Sequence, residues 1–173
     1  MRLFIALPVT GSAQKALTGT QMSLKKLGVR GRFVPPEDLH VTLCFLGETK
    51  DPAPVTEILK RLNVPGTALS FDRLTLFGDA LAALLRPDEA LEAYVRELRA
   101  ALDNAGIRFD KKAFRAHVTL LRGTALPRPG FDLQSAARTL PNTRLQIKQA
   151  RLMRSDLTHE GAKYTVIYPV KRT

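Results

Sequence analysis

The sequence has one cysteine and no long apolar run, and each shortage excludes a class of protein. Cys44 is the only cysteine among 173 residues, so no disulfide can form within the chain. A lone cysteine fits a reducing compartment. The opening apolar run from Leu3 to Val9 is interrupted by Pro8 and is too short to cross a bilayer. We therefore expect a cytoplasmic protein that does not associate with membranes.

Histidine is also rare, and the spacings that bind metals are missing. The three histidines lie far apart, the one cysteine is near His40 alone, and no pattern such as His-Glu-x-x-His occurs. Gly28-x-x-Gly31 lacks the lysine and the helix that a phosphate-binding glycine loop requires. No pair of carboxylates has a spacing that points to carboxylate catalysis. The sequence therefore predicts neither a metal nor a cofactor.

Acidic residues are scarce relative to basic ones. There are 16 aspartates and glutamates against 27 lysines and arginines, which gives a net charge of +11. Such a field attracts polyanions and speeds their arrival. The basic residues are scattered, so no disordered basic tail is predicted. Charge favours a nucleic-acid partner but leaves open a generally basic surface.

Short apolar strands alternate with three amphipathic helices, so the pattern predicts an α+β fold in a single domain over residues 1–173. The clearest helix is Asp88 to Ala105, where apolar residues recur at helical spacing and Gly106 provides the stop. The others are a helix capped by Ser12 and closed at Gly28, and Pro54 to Leu62. We predict a loop over 124–130 and strands at Leu3–Leu7, Arg32–Val34, Leu39–Leu46, Ile107–Phe109, Ala116–Leu121, Leu145–Met153 and Tyr164–Val170. Two or three further strands are predicted around Leu69–Phe71, Leu74–Phe77 and Leu81–Leu85.

One tetrapeptide occurs twice. His-Val-Thr-Leu begins at His40 and again at His117, a displacement of 117 − 40 = 77 residues. A period near half the chain indicates two related lobes and not a solenoid. Residues two apart on a strand share a face, so His40 should lie beside Thr42 and His117 beside Thr119.

The same alternation predicts the other faces of the first histidine strand. Val41, Leu43 and Phe45 should point into the core. Cys44 should share the face of His40, although no base or second thiol is placed to make it a nucleophile.

The duplicated motif suits phosphoester chemistry. A histidine titrates near pH ~6.5, so one can act as a base on water while its partner protonates the leaving oxygen. The hydroxyls of Thr42 and Thr119 can donate to non-bridging phosphate oxygens. A single strand histidine is usually structural, but a repeated motif in a chain with three histidines favours catalysis by His40 and His117. The third histidine, His159, lies in a polar turn and is predicted to be solvated.

Three further residues are candidates for substrate contacts. Strict alternation points Arg122 away from His117, but the arginine reaches the phosphate if the strand bulges near Leu121. The alternative interpretation is that Arg122 is a solvated arginine at the end of the strand. Phe33 and Phe114 are candidates for stacking on bases, with core packing as the alternative for each.

The paired motifs resemble those of the two-histidine phosphoesterases, and their surroundings resemble the RNA 2′,3′-cyclic phosphodiesterase branch, also called 2′-5′ RNA ligases. The sequence departs from this family's pattern at Phe33, where relatives often have tryptophan, and at Ala116, where they often have proline. The segments that match are Arg2–Leu7, Leu39–Leu43, Phe45–Gly47, Phe114–Arg122, and Ser155 with Gly161 and Tyr164.

The resemblance implies a bilobal, pseudo-twofold fold in which two antiparallel sheets face a central cleft and the helices pack outside. It implies hydrolysis of RNA 2′,3′-cyclic phosphate ends to 2′-phosphate ends, with His40 as proton donor, His117 as proton acceptor and Arg122 as a substrate contact. Small cyclic nucleotides are also possible substrates, and we expect a monomer. Two alternatives stay open: 2′-5′ RNA ligation at the same site, and a non-catalytic RNA-binding module.

Overall fold

A computed structural model describes residues 1–138 and 140–170, which fold around a large antiparallel sheet. Within these residues there are three α-helices, nine strands and three short 3-10 turns. The elements in chain order are β1 (Arg2–Pro8), α1 (Gly11–Lys26), β2 (Arg30–Phe33), a 3-10 turn (Pro36–Asp38), β3 (His40–Glu48), α2 (Ala53–Arg61), β4 (Ala68–Phe77), β5 (Ala80–Leu85), α3 (Glu89–Asn104), β6 (His117–Ala125), two 3-10 turns (Leu133–Ala136 and Leu140–Asn142), β7 (Arg144–Gln146), β8 (Arg151–Thr158) and β9 (Gly161–Tyr168).

The sheet consists of two halves that meet at one residue pair. Its strand order is β7-β4-β5-β6-β3-β1-β8-β9, and β2 pairs with β6 beside this path. Between β3 and β6 the register contains Val41 opposite Val118 and no further pair. The predicted α+β class is confirmed, and the two antiparallel sheets of the resemblance correspond to these joined halves. None of the helices in the described ranges has the length and apolar character to span a bilayer.

The helices pack apolar faces against the sheet. The predicted face of α3 is buried, and Asp88 caps this helix by accepting the backbone N–H of Leu91 at 2.8 Å. Helix α1 begins two residues earlier than predicted, because Thr10 and not Ser12 occupies the N-cap position. The buried side chains of these two helices are Ala13, Leu17, Thr20, Gln21 and Leu24 on α1, and Leu91, Tyr94, Val95, Leu98 and Leu102 on α3.

The predicted strand Ile107–Phe109 is wrong. The backbone N–H of Ile107 donates to the carbonyl of Leu102, and that of Gly106 donates to Asp103, both at 2.9 Å. These bonds close the C-terminal end of α3, as glycine-terminated helices commonly do. The Ile107 amide is therefore not available to a sheet.

Two other strand boundaries were also predicted wrongly. The range Leu145–Met153 divides into β7 and β8, because β7 pairs with β4 while β8 pairs with β1 in the other half of the sheet. The region predicted to hold two or three strands holds two, because β4 covers both Leu69–Phe71 and Leu74–Phe77 and β5 follows it. The loop predicted over 124–130 begins only after Ala125, because β6 continues to that residue, which lies opposite Arg30.

Both histidine strands contain a bulge at the same place. On β6, Leu121 lies opposite Leu81 and Thr119 opposite Ala82, so Leu120 is an extra residue between the two pairs. A bulge reverses the alternation of side chains beyond it. Arg122 therefore returns to the face that Thr119 occupies.

The bulge on β3 corrects two predicted orientations. Cys44 lies opposite Ile5 and Thr42 opposite Ala6, which leaves Leu43 as the extra residue. Cys44, expected beside the histidine, is instead 2% exposed in the core. Phe45, expected in the core, instead lines a cavity together with Thr42.

Candidate active site

The two motif histidines start the two strands at which the halves of the sheet meet. His40 is the first residue of β3 and His117 the first residue of β6. The next residue of each strand forms the single pair between Val41 and Val118. The fold thus brings together two side chains that are 77 residues apart in the sequence.

Both imidazole rings are held in the same way. The Nδ1–H of His40 donates to the carbonyl of Asp38 at 2.6 Å, and the Nδ1–H of His117 donates to the carbonyl of Arg115 at 2.7 Å. A carbonyl can only accept, so each Nδ1 carries a hydrogen and Nε2 is the nitrogen that gains or loses a proton. The Nε2 of His40 lies 3.1 Å from Oγ1 of Thr42. Across the described chain, no partner occupies Nε2 of His117.

The surroundings of the two rings differ. The ring centroid of His40 lies 5.1 Å from that of Phe4 and 5.3 Å from that of Tyr164, which meets it edge-on. His117 instead packs against Phe77 at 4.8 Å.

The pKa of His40 lies below the usual histidine value. Burial is the main cause, because it disfavours the charged ring. The hydrogen bond to Asp38 opposes this shift, while the nearby charges of Arg122 and His117 add to it. The two histidines are therefore within electrostatic reach of each other.

The threonines and the arginine complete the constellation that the sequence predicted. Thr42 and Thr119 are both partly buried. Thr42 lines the same cavity as His40, and Thr119 follows His117 by two residues on the same face of β6. Arg122 also lines the cavity of His40, since the bulge turns it inward.

Two cavities lie side by side over the sheet. The first, of about 450 Å³, contains the catalytic candidates of the β3 half, and the second, of about 490 Å³, extends from it past β2. Arg32 borders both, and its Nε lies 2.9 Å from the place where a Cβ on Gly161 would be. The first cavity is lined by Arg2, Phe4, Arg32, His40, Thr42, Phe45, Arg122, Ser155, Leu157, Thr158, Gly161, Ala162 and Tyr164.

The two phenylalanine candidates are in different places. Phe33 lines the second cavity, and the Nζ of Lys25 lies 4.6 Å from its ring centroid on one side. Phe114 lines a separate cavity of about 140 Å³ beside Arg115, away from His40. Its use as a stacking platform stays a prediction that this location does not support.

Two other residues considered from the sequence lie outside this constellation, His159 at the surface and Cys44 in the core. His159 is exposed in the turn between β8 and β9. Burial raises the pKa of the Cys44 thiol to about 11, so the thiolate that a nucleophile needs is scarce. Among the residues described, no group of three histidine, cysteine or acidic side chains could hold a metal ion.

Sequence reasoning did not assign roles to most residues of the first cavity. Those with charged or aromatic side chains outside the two histidine strands are Arg2 and Phe4 from β1, Arg32 from β2 and Tyr164 from β9. Arg2 and Phe4 are two apart on one strand, which is the signal that both face the same side. No local pattern indicates that β2 and β9 approach the histidines.

The antiparallel α+β fold brings together paired histidines anchored through Nδ1, flanking threonines and an inward arginine, a set of groups suited to acid–base chemistry on a phosphoester. Comparison with known proteins agrees with this class. The chain belongs to the family described as LigT like phosphoesterase, which matches residues 7–83 and 85–164. The resemblance noted from the two motifs is thereby confirmed.

Curated relatives and solved structures match almost the whole chain. An RNA 2′,3′-cyclic phosphodiesterase of Thermus thermophilus is 32% identical, covering 96% of this chain and 88% of its own. An RNA 2′,3′-cyclic phosphodiesterase of Aeropyrum pernix is 29% identical, covering 86% of this chain and 90% of its own. The crystal structure of TT0787 of Thermus thermophilus has a TM-score of 0.70 at 26% identity, covering 96% of this chain and 95% of its own. The crystal structure of E. coli LigT in apo form has a TM-score of 0.72 at 22% identity, covering 96% of this chain and 94% of its own. This likeness shows the shared fold.

Proposed function

We propose that the protein hydrolyses 2′,3′-cyclic phosphate ends of RNA to 2′-phosphate ends, with His40 and His117 carrying the two proton transfers. The observation that carries this proposal is the matched anchoring of both rings, which leaves each Nε2 as the titrating nitrogen. The names of the curated relatives support the substrate class. The net charge of +11 supports a polyanionic substrate.

The proposed reaction is a single displacement at phosphorus. Nε2 of His117 accepts a proton from water as the water oxygen forms a bond to phosphorus. The bond between phosphorus and the 3′-oxygen breaks, and Nε2–H of His40 gives its proton to that oxygen. The product carries a 2′-phosphate and a 3′-hydroxyl, and the two histidines exchange protonation states, which solvent then resets.

Hydroxyls and the guanidinium would stabilise the charge that develops on the phosphate oxygens. Thr42 and Thr119 are each two residues from a histidine and can donate to the two non-bridging oxygens. Arg122 adds a positive charge in the same cavity as His40. These groups supply the charge stabilisation for which other phosphoesterases use a metal, so we propose a metal-independent and cofactor-free reaction.

Phe33 is the better placed of the two stacking candidates. It lines the second cavity, which adjoins the first at Arg32. Lys25 covers one face of the Phe33 ring. We propose that the other face contacts a base of the substrate.

Residues 1–173 are proposed to act as one two-histidine phosphoesterase domain with two lobes, as a cytoplasmic monomer. The continuous strand order through both halves supports a single domain. The only cysteine is buried and free, as suits a reducing compartment. Light scattering of the purified protein tests the monomer.

The function is tested with an RNA that ends in a 2′,3′-cyclic phosphate, incubated with the protein in excess EDTA. We expect a 2′-phosphate product, identified against synthetic 2′- and 3′-phosphate standards. Binding without cleavage would identify a non-catalytic RNA-binding module. Loss of activity in EDTA that zinc or manganese restores would contradict the metal-independent mechanism. A second RNA with a 5′-hydroxyl end, added to the same reaction, tests 2′-5′ ligation.

A further inference from the structure

The internal repeat continues beyond the four residues that are identical. The displacement of 77 that relates His40 to His117 also relates the bulged residues, because 43 + 77 = 120. The same displacement relates Phe45 to Arg122, because 45 + 77 = 122. Each of these residues lies two positions beyond the extra residue of its bulge. Both side chains face the first cavity.

A cation is nevertheless present at both related positions. The guanidinium of Arg2, on the neighbouring strand β1, lies over the ring of Phe45 with its Cζ 5.1 Å from the centroid. This is the distance of a cation–π contact. One half of the protein thus places an arginine from its histidine strand, and the other half places an arginine from β1 on an aromatic ring.

The guanidinium of Arg2 has no acidic partner in residues 1–138 and 140–170. The carboxylate nearest in the pairing register, on Glu48, instead bonds the amino group of Met1 at 3.1 Å. Arg2 is exposed and lines the cavity that contains His40 and Thr42. A guanidinium with five free donors facing a cavity is suited to bind a phosphate oxygen pair.

Arg2 lies far from His40 along β3. Phe45, which supports it, is five residues beyond His40 on β3, or roughly 16 Å at about 3.3 Å per residue. Arg122 lines the same cavity and is close enough to His40 to lower its pKa. The cavity therefore has one arginine near His40 and another, Arg2, beside Phe45 farther along β3.

We propose that Arg2, held over Phe45, binds the phosphodiester that joins the cyclic-phosphate nucleotide to the rest of the RNA. The protein consequently selects oligoribonucleotides over cyclic mononucleotides. This inference rests on the proposed function, since it assumes that the cyclic phosphate lies between His40 and His117.

The test compares three substrates by kcat/KM. They are 2′,3′-cyclic AMP, a diadenylate ending in a 2′,3′-cyclic phosphate, and the same diadenylate with an uncharged methylphosphonate linkage. The charged dinucleotide should be the best substrate of the wild-type protein. Arg2→Ala should lower kcat/KM on it about tenfold to a hundredfold, as expected for a hydrogen bond between charged groups. The loss on the other two substrates should be smaller by about tenfold.

Two further variants separate the contact from a general effect. Arg2→Lys should recover part of the loss, because lysine keeps the charge without the planar fork. Phe45→Leu should raise KM for the charged dinucleotide with less effect on kcat, because the aromatic support of the guanidinium is lost. The matched control is Arg128→Ala, which removes a guanidinium that lies 5.5 Å from the ring centroid of Phe131. Arg128 does not line either cavity, and its variant should behave as wild type.

The failures are distinguishable. If the wild-type protein cleaves the mononucleotide and the dinucleotide equally well, the inference about Arg2 is wrong and the proposed function stands. Equal losses on all three substrates in Arg2→Ala would also overturn it, since the arginine would then act at the reacting phosphate or on the fold. If the wild-type protein cleaves no substrate, both proposals are wrong.

Discussion

The side-chain Nε2 of Gln21 donates a buried hydrogen bond of 2.9 Å to the carbonyl of Leu120, which is 99 residues further along the chain. The same nitrogen donates to the carbonyl of Val34 at 2.9 Å, and the backbone N–H of Val34 donates to Leu120 as well. Leu120 is the extra residue of the β6 bulge. Helix α1 therefore holds the bulge that turns Arg122 into the cavity.

This relationship predicts the effect of removing the amide. Gln21→Met keeps most of the side-chain volume but leaves the Val34 carbonyl without its donor. We expect a loss of about 1–3 kcal/mol in the free energy of unfolding, measured in urea, because the uncompensated carbonyl stays partly buried. Turnover should also fall, since the position of Arg122 depends on the bulge.

The control for this variant lies on the same helix. Gln14 donates to the carbonyl of Pro36 at 3.0 Å, but this bond is exposed and water can replace it. Gln14→Met should change stability by no more than about 0.5 kcal/mol. Equal stability of the two variants would show that the buried amide does not stabilise the bulge.

Removing either histidine should reduce turnover without unfolding the protein. His40→Ala and His117→Ala should each lower kcat by about 10²–10⁴, the usual contribution of a positioned acid or base. The double variant should be less impaired than the product of the two losses, because both groups serve one transition state. Near wild-type rates in folded single variants would contradict the two-histidine mechanism.

The pH profile assigns the two roles. An acid loses its proton as pH rises through its pKa, so the alkaline limb of kcat/KM reports the donor in the free protein. Burial lowers the pKa of His40, and this limb should therefore begin to fall below pH ~6.5. The limb of kcat should lie at higher pH, because the bound phosphate favours the charged ring.

The single variants check this assignment. His40→Ala should flatten the alkaline limb and His117→Ala the acidic one. Exchanged limbs would reverse donor and acceptor while keeping the pair. The values are macroscopic, since two interacting histidines titrate together.

Gly161→Ala should disturb the boundary between the two cavities. Gly161 has φ +114°, and a Cβ there would lie 2.9 Å from Nε and 3.1 Å from Cζ of Arg32. The strained backbone should cost about 1–3 kcal/mol in the free energy of unfolding, and the Arg32 side chain should move, as a crystal structure of the variant would show. Gly66→Ala, in open space with ordinary backbone, is the control. An unmoved Arg32 in a variant of wild-type stability would contradict this account.

Cys44 should be unreactive until the protein unfolds. Its pKa of about 11 leaves little thiolate at pH ~8, and its side chain is 2% exposed. A chromogenic disulfide reagent should therefore label the thiol in urea and leave it unlabelled in native buffer. Rapid labelling of the native protein would show that the β3 bulge does not hold Cys44 in the core.

The histidine pair was predictable from the sequence because its signal is local. Each His-x-Thr lies on one strand, and a two-residue alternation gives its face without knowledge of the rest of the fold. The displacement of 77 residues then indicates that two such strands are related. The threonines follow from the same rule.

The orientations of Phe45 and Cys44 were not predictable because they depend on a bulge. Nothing in the run from His40 to Leu46 requires an extra residue at Leu43, so strict alternation gave both faces wrongly. On β6, the corresponding bulge is held by an amide from α1, a contact between distant parts of the chain. For the same reason, the sequence predicted a phosphate contact for Arg122 only on the condition that β6 bulges.

The position of β1 has a consequence for synthesis of the protein on the ribosome. This strand is translated first among the strands, yet it lies between β3 and β8. One of its edges can pair as soon as β3 has emerged, but the other stays open until residues 151–158 have been made. An open edge of an apolar strand is a site for wrong pairing. A nascent chain stalled between the two motifs would therefore expose that edge, and ribosome-bound chains should recruit chaperones up to the point where β8 emerges.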